Sequence, residues 1–188
     1  FVKNGSTGGD FRLYVGGREF AVLGRYAPNR RKTMTLSVPS TSIPSNGDLV
    51  PLIIARKKAL RQFSTRSVKV ESARCDSDFD GEFELLTDAS TDLTNWGNLT
   101  RVPAEETALE VITSQSDGTE LTVSNLTDPG VRIDGDLLNA SQGNKRSPSD
   151  IPQGGLDVPE DAVVVLAARS TSGNAGTASG RLTFEEEA

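Results

Sequence analysis

The 188-residue chain contains no histidine. That absence removes the usual general base near neutral pH, the commonest metal ligand and every Ser-His or Cys-His nucleophile pair. Cysteine occurs once, at Cys75, so no internal disulfide is available and any bridge would join two chains. Aromatic residues make up 5% and hydrophobic residues 35% of the chain, which predicts a large polar surface rich in loops. No apolar run approaches the roughly 18 residues that a membrane-spanning helix needs. A phosphate-binding G-x-x-x-x-G-K-[ST] motif is also missing, and Gly5, Gly8 and Gly9 follow no strand. Together these absences set the expectation of a non-enzymatic protein without a small-molecule substrate. The opening Phe1 leads us to expect that a start methionine precedes it or was removed, and the first residues do not read as a signal peptide.

What the chain does have is charge, unevenly placed. The net charge is −6, but up to Cys75 there are 14 Lys/Arg against 4 Asp/Glu, and beyond it 6 against 22. Two differently charged faces of one fold would account for this. So would contact between the basic third and an anionic surface, or packing of subunits through complementary patches. Arginine outnumbers lysine 14 to 6, and the isoelectric point is near 4.8. A high-salt or high-GC source fits both facts.

The stretch Val158 to Glu187 organises the rest. Ala162 to Ala168 is apolar throughout and rich in valine, the pattern of a strand buried on both faces. Gly173, Asn174 and Gly176 supply a turn, and Gly180 to Glu185 returns with Leu182 and Phe184 alternating inward. Upstream, Phe11 to Val15 and Arg18 to Leu23 flank Gly16-Gly17 as a hairpin. Thr33 to Val38 points Met34, Leu36 and Val38 inward, and Pro39, Pro44 and Asn46-Gly47 predict a loop. Pro51 marks Val50 to Ala55 as an edge or a strand start. Ser67 to Ala73, Glu82 to Leu86 and Val131 to Leu138 read as further strands, the last with a bulge or turn at Asp134-Gly135. Ala108 to Thr113 and Glu120 to Leu126 flank Asp117-Gly118 as a second hairpin. Thr87 to Thr107 and Asn139 to Gly155 read as loops. Ala55, Ala59, Leu60 and Phe63 stand at near-helical spacing among Arg56, Lys57, Lys58 and Arg61, which predicts a short basic helix with a solvated face; extension of the preceding strand is the alternative.

This pattern predicts an all-β fold, a single jelly roll or antiparallel β-sandwich of about 8 to 10 strands with long loops and at most one or two short helices. Residues 1–10 read as a flexible arm and residues 11–188 as one sandwich domain.

The sharpest local motif is Asp76-Ser-Asp78-Phe-Asp80-Gly81-Glu82, which matches the opening of a calcium loop, with carboxylates at alternate positions and a glycine for the sharp turn. Asp76, Asp78, Asp80 and Glu82 are therefore the metal candidates, and calcium the cofactor candidate. The bidentate glutamate such a loop carries at its twelfth position is Thr87 here, and the flanks read as strands, so a solvated acidic turn competes with the calcium reading. Carboxylate pairs such as Glu105-Glu106 and Asp134/Asp136 also occur, but without the aromatic platforms of a sugar cleft. Asn4, Asn98, Asn125 and Asn139 begin N-x-[ST] sequons. The basic third lacks interleaved aromatics, so specific nucleic-acid binding is not expected. Candidate interface residues are Arg30, Arg31 and Lys32, then Arg56, Lys57 and Lys58, and Trp96, the only tryptophan.

The size, the acidity, the strand count and the ending V-V-V-L-A-A-R-S-T-S…G-R-L-T-F-E-E-E resemble the small single jelly-roll major capsid proteins of icosahedral, internal-membrane viruses of halophilic archaea. The resemblance implies a virion shell subunit that assembles into capsomers with copies of itself or with a larger sister jelly roll. It implies contact of Arg30 to Lys69 with a neighbour, an internal membrane or a membrane protein, and of the loops Thr87 to Glu106 and Asn139 to Gly155 with other subunits. The acidity is moderate for an obligate halophile. Two readings compete: an extracellular or surface β-sandwich binding or adhesion module, calcium-assisted through the acidic loop, and a phage decoration or tail-tip protein.

Overall fold

In the computed structural model the described residues are 2–4, 11–15, 18–22, 32–58, 66–101, 105–114, 121–140, 147–148, 155–160 and 162–187; for 2–22, 98–101, 105–106, 123 and 147–148 the backbone alone is described. They form strands β1 (Val2–Asn4), β2 (Phe11–Val15), β3 (Arg18–Val22), β4 (Lys32–Ile43), β5 (Val50–Lys57), β6 (Ser67–Ser77), β7 (Gly81–Thr91), β8 (Gly97–Arg101), β9 (Glu105–Thr113), β10 (Leu126–Asp128), β11 (Val131–Leu138), β12 (Ser147–Pro148), β13 (Leu156–Asp157), β14 (Val163–Ser170) and β15 (Gly176–Glu187).

The valine-rich run becomes β14, and its burial on both faces has a structural cause. It lies between β5 and β7 in a seven-stranded antiparallel sheet. Val164, Leu166 and Ala168 face the core between the sheets, against Leu52, Phe83, Leu182 and Phe184. Val165 and Ala167 face the other way, where Ile54, Leu86, Ile112 and Leu121 form a second apolar layer packed by Trp96 and Leu126. A strand covered on both sides has no solvent face to keep polar, so the period-2 alternation disappears.

β15 obeys the alternation instead. It lies between β4 and β6 in the second, five-stranded sheet, burying Ala178, Gly180, Leu182, Phe184 and Glu186. A side chain at Gly180 would come within 3.0 Å of Leu166 and 3.1 Å of Leu52, so glycine lets the opposite sheet approach closely here.

The connections β4–β5, β6–β7 and β14–β15 each cross from one sheet to the other. The resulting orders, β5-β14-β7-β11 and β4-β15-β6 with β12 and β13 on its far side, are those of a jelly roll. The hairpin β8–β9 extends the first sheet beyond β5. β1, β2 and β3 form a separate three-stranded sheet, in which Val15 pairs with Arg18 as the Gly16-Gly17 hairpin requires. Where an arm is expected, the backbone of Val2–Asn4 pairs with Phe11–Leu13.

Several local expectations need correction. Ala55, Arg56 and Lys57 extend β5 rather than start a helix, because β9 and β14 hold this segment on both edges; residues 59–65 lie outside the described part. Pro51 does mark the start of β5, as one of its two readings has it, but the strand is interior and not an edge, and the proline is tolerated beside a register shift. β4 continues through Pro39 to Ile43, since β4 is an edge strand and Pro39 falls at another shift in register. The loop expected over Thr87–Thr107 contains the end of β7, β8 and the start of β9, of which β8 is a polar strand at the sheet margin. The second hairpin does not form: both edges of β9 are already taken by β5 and β8, so residues 121–125 turn away and only Leu126 starts a strand, on β7. Residues 115–120, with Asp117-Gly118, lie outside the described part. The polar stretch Asn139–Gly155 includes the short β12, paired with β6.

Candidate interaction surface

β11 is the edge strand next to β7, and its sequence V-R-I-D-G-D-L-L does not bury its apolar residues in the usual way. Val131 is 59%, Ile133 38% and Leu137 65% exposed, while only Leu138 reaches the core. A register shift between Arg132 and Asp134 inserts Ile133 as an extra residue against β7. The approach to β11 is equally constrained. Gly130 has φ +74°, and a side chain there would collide with the backbone of Thr87 and Ala89, beside Asp88 at φ +56°.

The strand also closes part of its own edge. The amide of Gly135 donates to Asp134 Oδ1 at 2.8 Å, and that of Leu137 to Asp136 Oδ1 at 2.8 Å. Aspartates used this way discourage strand-on-strand pairing, leaving the side chains to make contact.

Beside Leu137, which pairs with Glu82, lies a charged quartet. Glu82 and Glu84 alternate along β7 on the outward face; Arg169 on β14 places Nη2 2.8 Å from Glu82 Oε2 and 2.8 Å from Glu84 Oε1. Arg132 adds longer contacts of 3.7 and 3.6 Å to the same pair. The hydrogen bond to Glu82 is the main cause holding the Arg169 pKa above its usual value. Glu84, Arg132 and Arg169 border a cleft of about 360 Å³ whose other walls are Leu49, Leu86, Leu126, Pro129 and Gly130.

The acidic motif forms the turn between β6 and β7, and its carboxylates do not converge. Asp78 accepts from the Thr177 amide at 2.6 Å and the Thr177 hydroxyl at 2.9 Å, which lowers its pKa, the amide contributing most. Asp80 accepts from the Ala140 amide at 2.8 Å. Glu82 belongs to the quartet, and Asp76 lies half-buried opposite Ser179 on β15. Among the described residues, no three acidic or cysteine side chains are grouped to hold a metal ion.

The basic candidates scatter as well. Lys57 and Lys58 are buried, at 7% and 2% exposure, so the solvated face expected of them is not there. Lys57 pairs with Glu160 at 3.4 Å. Arg56 pairs with Glu110 at 2.9 Å and lies 4.0 Å from the centre of the Trp96 ring, bringing two interface candidates together. Trp96 itself is half-buried and donates to the Leu93 carbonyl at 3.0 Å. Lys32 begins β4; Arg30 and Arg31 lie outside the described part.

Compared with protein-family models, curated proteins and solved structures, the chain matches none. The site therefore rests on its own residues. Sequence reasoning missed Arg132, Arg169 and Glu84. Glu-Phe-Glu on β7 was a visible alternation, but only the pairing of β7 with β11 and β14 supplies the arginines.

Proposed function

We propose that this protein is a structural subunit: a jelly roll that associates with copies of itself or with a sister jelly roll to build a virion shell, without catalysis. The observation that carries this reading is that Val131, Ile133 and Leu137 stand exposed on an edge strand whose aspartates discourage backbone pairing. Leu137, paired with Glu82, stands beside the charged quartet, and such a neighbourhood is how side-chain interfaces combine apolar burial with specificity.

Light scattering from low to multimolar salt, with and without calcium, tests it. Large regular assemblies, or obligate pairing with a second subunit, support the shell reading. Val131→Ser with Leu137→Ser should then lower association at least tenfold while leaving the melting temperature nearly unchanged. A monomer indifferent to salt but stabilised by calcium would sink it and make the acidic turn of a surface binding module the functional centre.

A further inference from the structure

The two ends of the sandwich differ. At one end the β4–β5, β6–β7 and β14–β15 loops meet: Asp78 holds Thr177, and Asp80 accepts from the amides of Thr171 and Ala140. The described loop residues gathered here, 44–49, 78–80, 121–125, 139–140 and 171–175, include Asp48, Asp78 and Asp80 and no lysine or arginine. Between them opens a cleft of about 600 Å³, walled by Ile43, Pro44, Val50, Leu121 and Ala175 with Asp48 at its margin.

The Asp48 carboxylate at the margin of an apolar floor suits a cationic segment that carries an apolar or aromatic side chain. The chain holds one in residues 23–31, L-G-R-Y-A-P-N-R-R, with three arginines, one tyrosine and no acid. Its own copy of the cleft is out of reach. The segment joins β4 at Lys32, whereas the cleft lies at Ile43, the other end of that twelve-residue strand. At about 3.4 Å per residue, β4 separates the two by about 37 Å. Tyr26, six residues before Lys32, extends at most about 21 Å from it.

We propose that this cleft receives residues 23–31 of a second copy of the chain. The inference rests on the self-association proposed above and gives it a direction. One molecule's β4 start meets the next molecule's loop end, a head-to-tail contact that closes into a ring or continues.

The test uses a fluorescent peptide with the sequence of residues 23–31, titrated with the full chain, alongside light scattering of the full chain itself. Saturable binding is expected, weakened at least tenfold by Asp48→Arg and by Ala175→Arg, both exposed positions chosen to leave the fold intact. Assembly should be lost in Asp48→Arg and restored when Arg25→Asp and Arg30→Asp are added. Two separate variants and the restoring exchange keep misfolding of any one from deciding the result. If the chain assembles while the peptide fails to bind, or binds both variants as tightly as the parent, the inference falls and the shell reading stands. A chain that stays monomeric throughout overturns both.

Discussion

Glu186 on β15 is fully buried and pairs with Arg66, which leads into β6. Its second oxygen accepts the Ala108 amide of β9 at 3.0 Å, so one carboxylate ties the five-stranded sheet to the seven-stranded one. The pairing also brings part of the basic third against the acidic C-terminal run, since Glu186 lies opposite Lys32 on one side and Val68 on the other. Through Arg66–Glu186, Arg56–Glu110 and Lys57–Glu160, part of the lopsided charge of the sequence is thus met inside one fold.

Removing the guanidinium should cost more than neutralising the acid. Arg66→Ala leaves a buried carboxylate without its cation and is expected to lower stability by about 3–5 kcal/mol. Glu186→Gln keeps an oxygen for Ala108 and should cost about 1–3 kcal/mol. Urea unfolding of both variants measures the order; an equal or reversed order would show that the ion pair does not tie the sheets.

Cys75 lies in the core on β6, and burial, aided by the charge of Asp76, pushes its thiol pKa from 9.0 up to about 12. The folded thiol therefore stays protonated where the unfolded one ionises. Its contribution is constant below pH 9 and is lost as pH rises from 9 towards 12. The loss approaches about 1.4 kcal/mol per pH unit within that window. Alkaline unfolding of the parent should be steeper than that of Cys75→Ala by this amount. Parallel curves would refute the assignment.

Gly81 opens β7 directly over the Phe79 ring, and a side chain there would collide with the Arg169 carbonyl as well as that ring. Because the carbonyl is backbone inside the sheet, it cannot swing aside. Gly81→Ala is expected to cost about 1–3 kcal/mol, seen as a lower melting temperature. A variant as stable as the parent would mean that the β6–β7 turn relaxes freely.

The sequence made the strands legible where burial was one-sided or complete. Met34 and Val38, Val68 and Val70, and Leu182 and Phe184 all lie inside as their alternation predicts. Legibility failed where a partner strand overrode local chemistry. Arg56 and Lys57 look helical beside Ala55, yet β9 and β14 hold them extended. On β6 the inward set shifts phase after Val70, to Ala73 and Cys75, because Glu71 is an extra residue against β15. The interaction surface was less legible than the fold. The Ile133 bulge and the reach of Arg169 to Glu82 depend on register, which no single strand's sequence contains.

The order in which the jelly roll is threaded bears on how it is made. Within the described residues, β14 and β15 come last in the chain, yet they occupy the middle of both sheets. Until they emerge from the ribosome, β5 and β7 have no neighbour to join them, nor have β4 and β6. Neither layer can mature before then, and apolar residues such as Leu52, Ile54, Phe83 and Leu86 stay uncovered meanwhile. Such non-local closure is slow and leaves the nascent chain prone to aggregate. Chaperone holding of the nascent chain should therefore raise the yield of soluble protein.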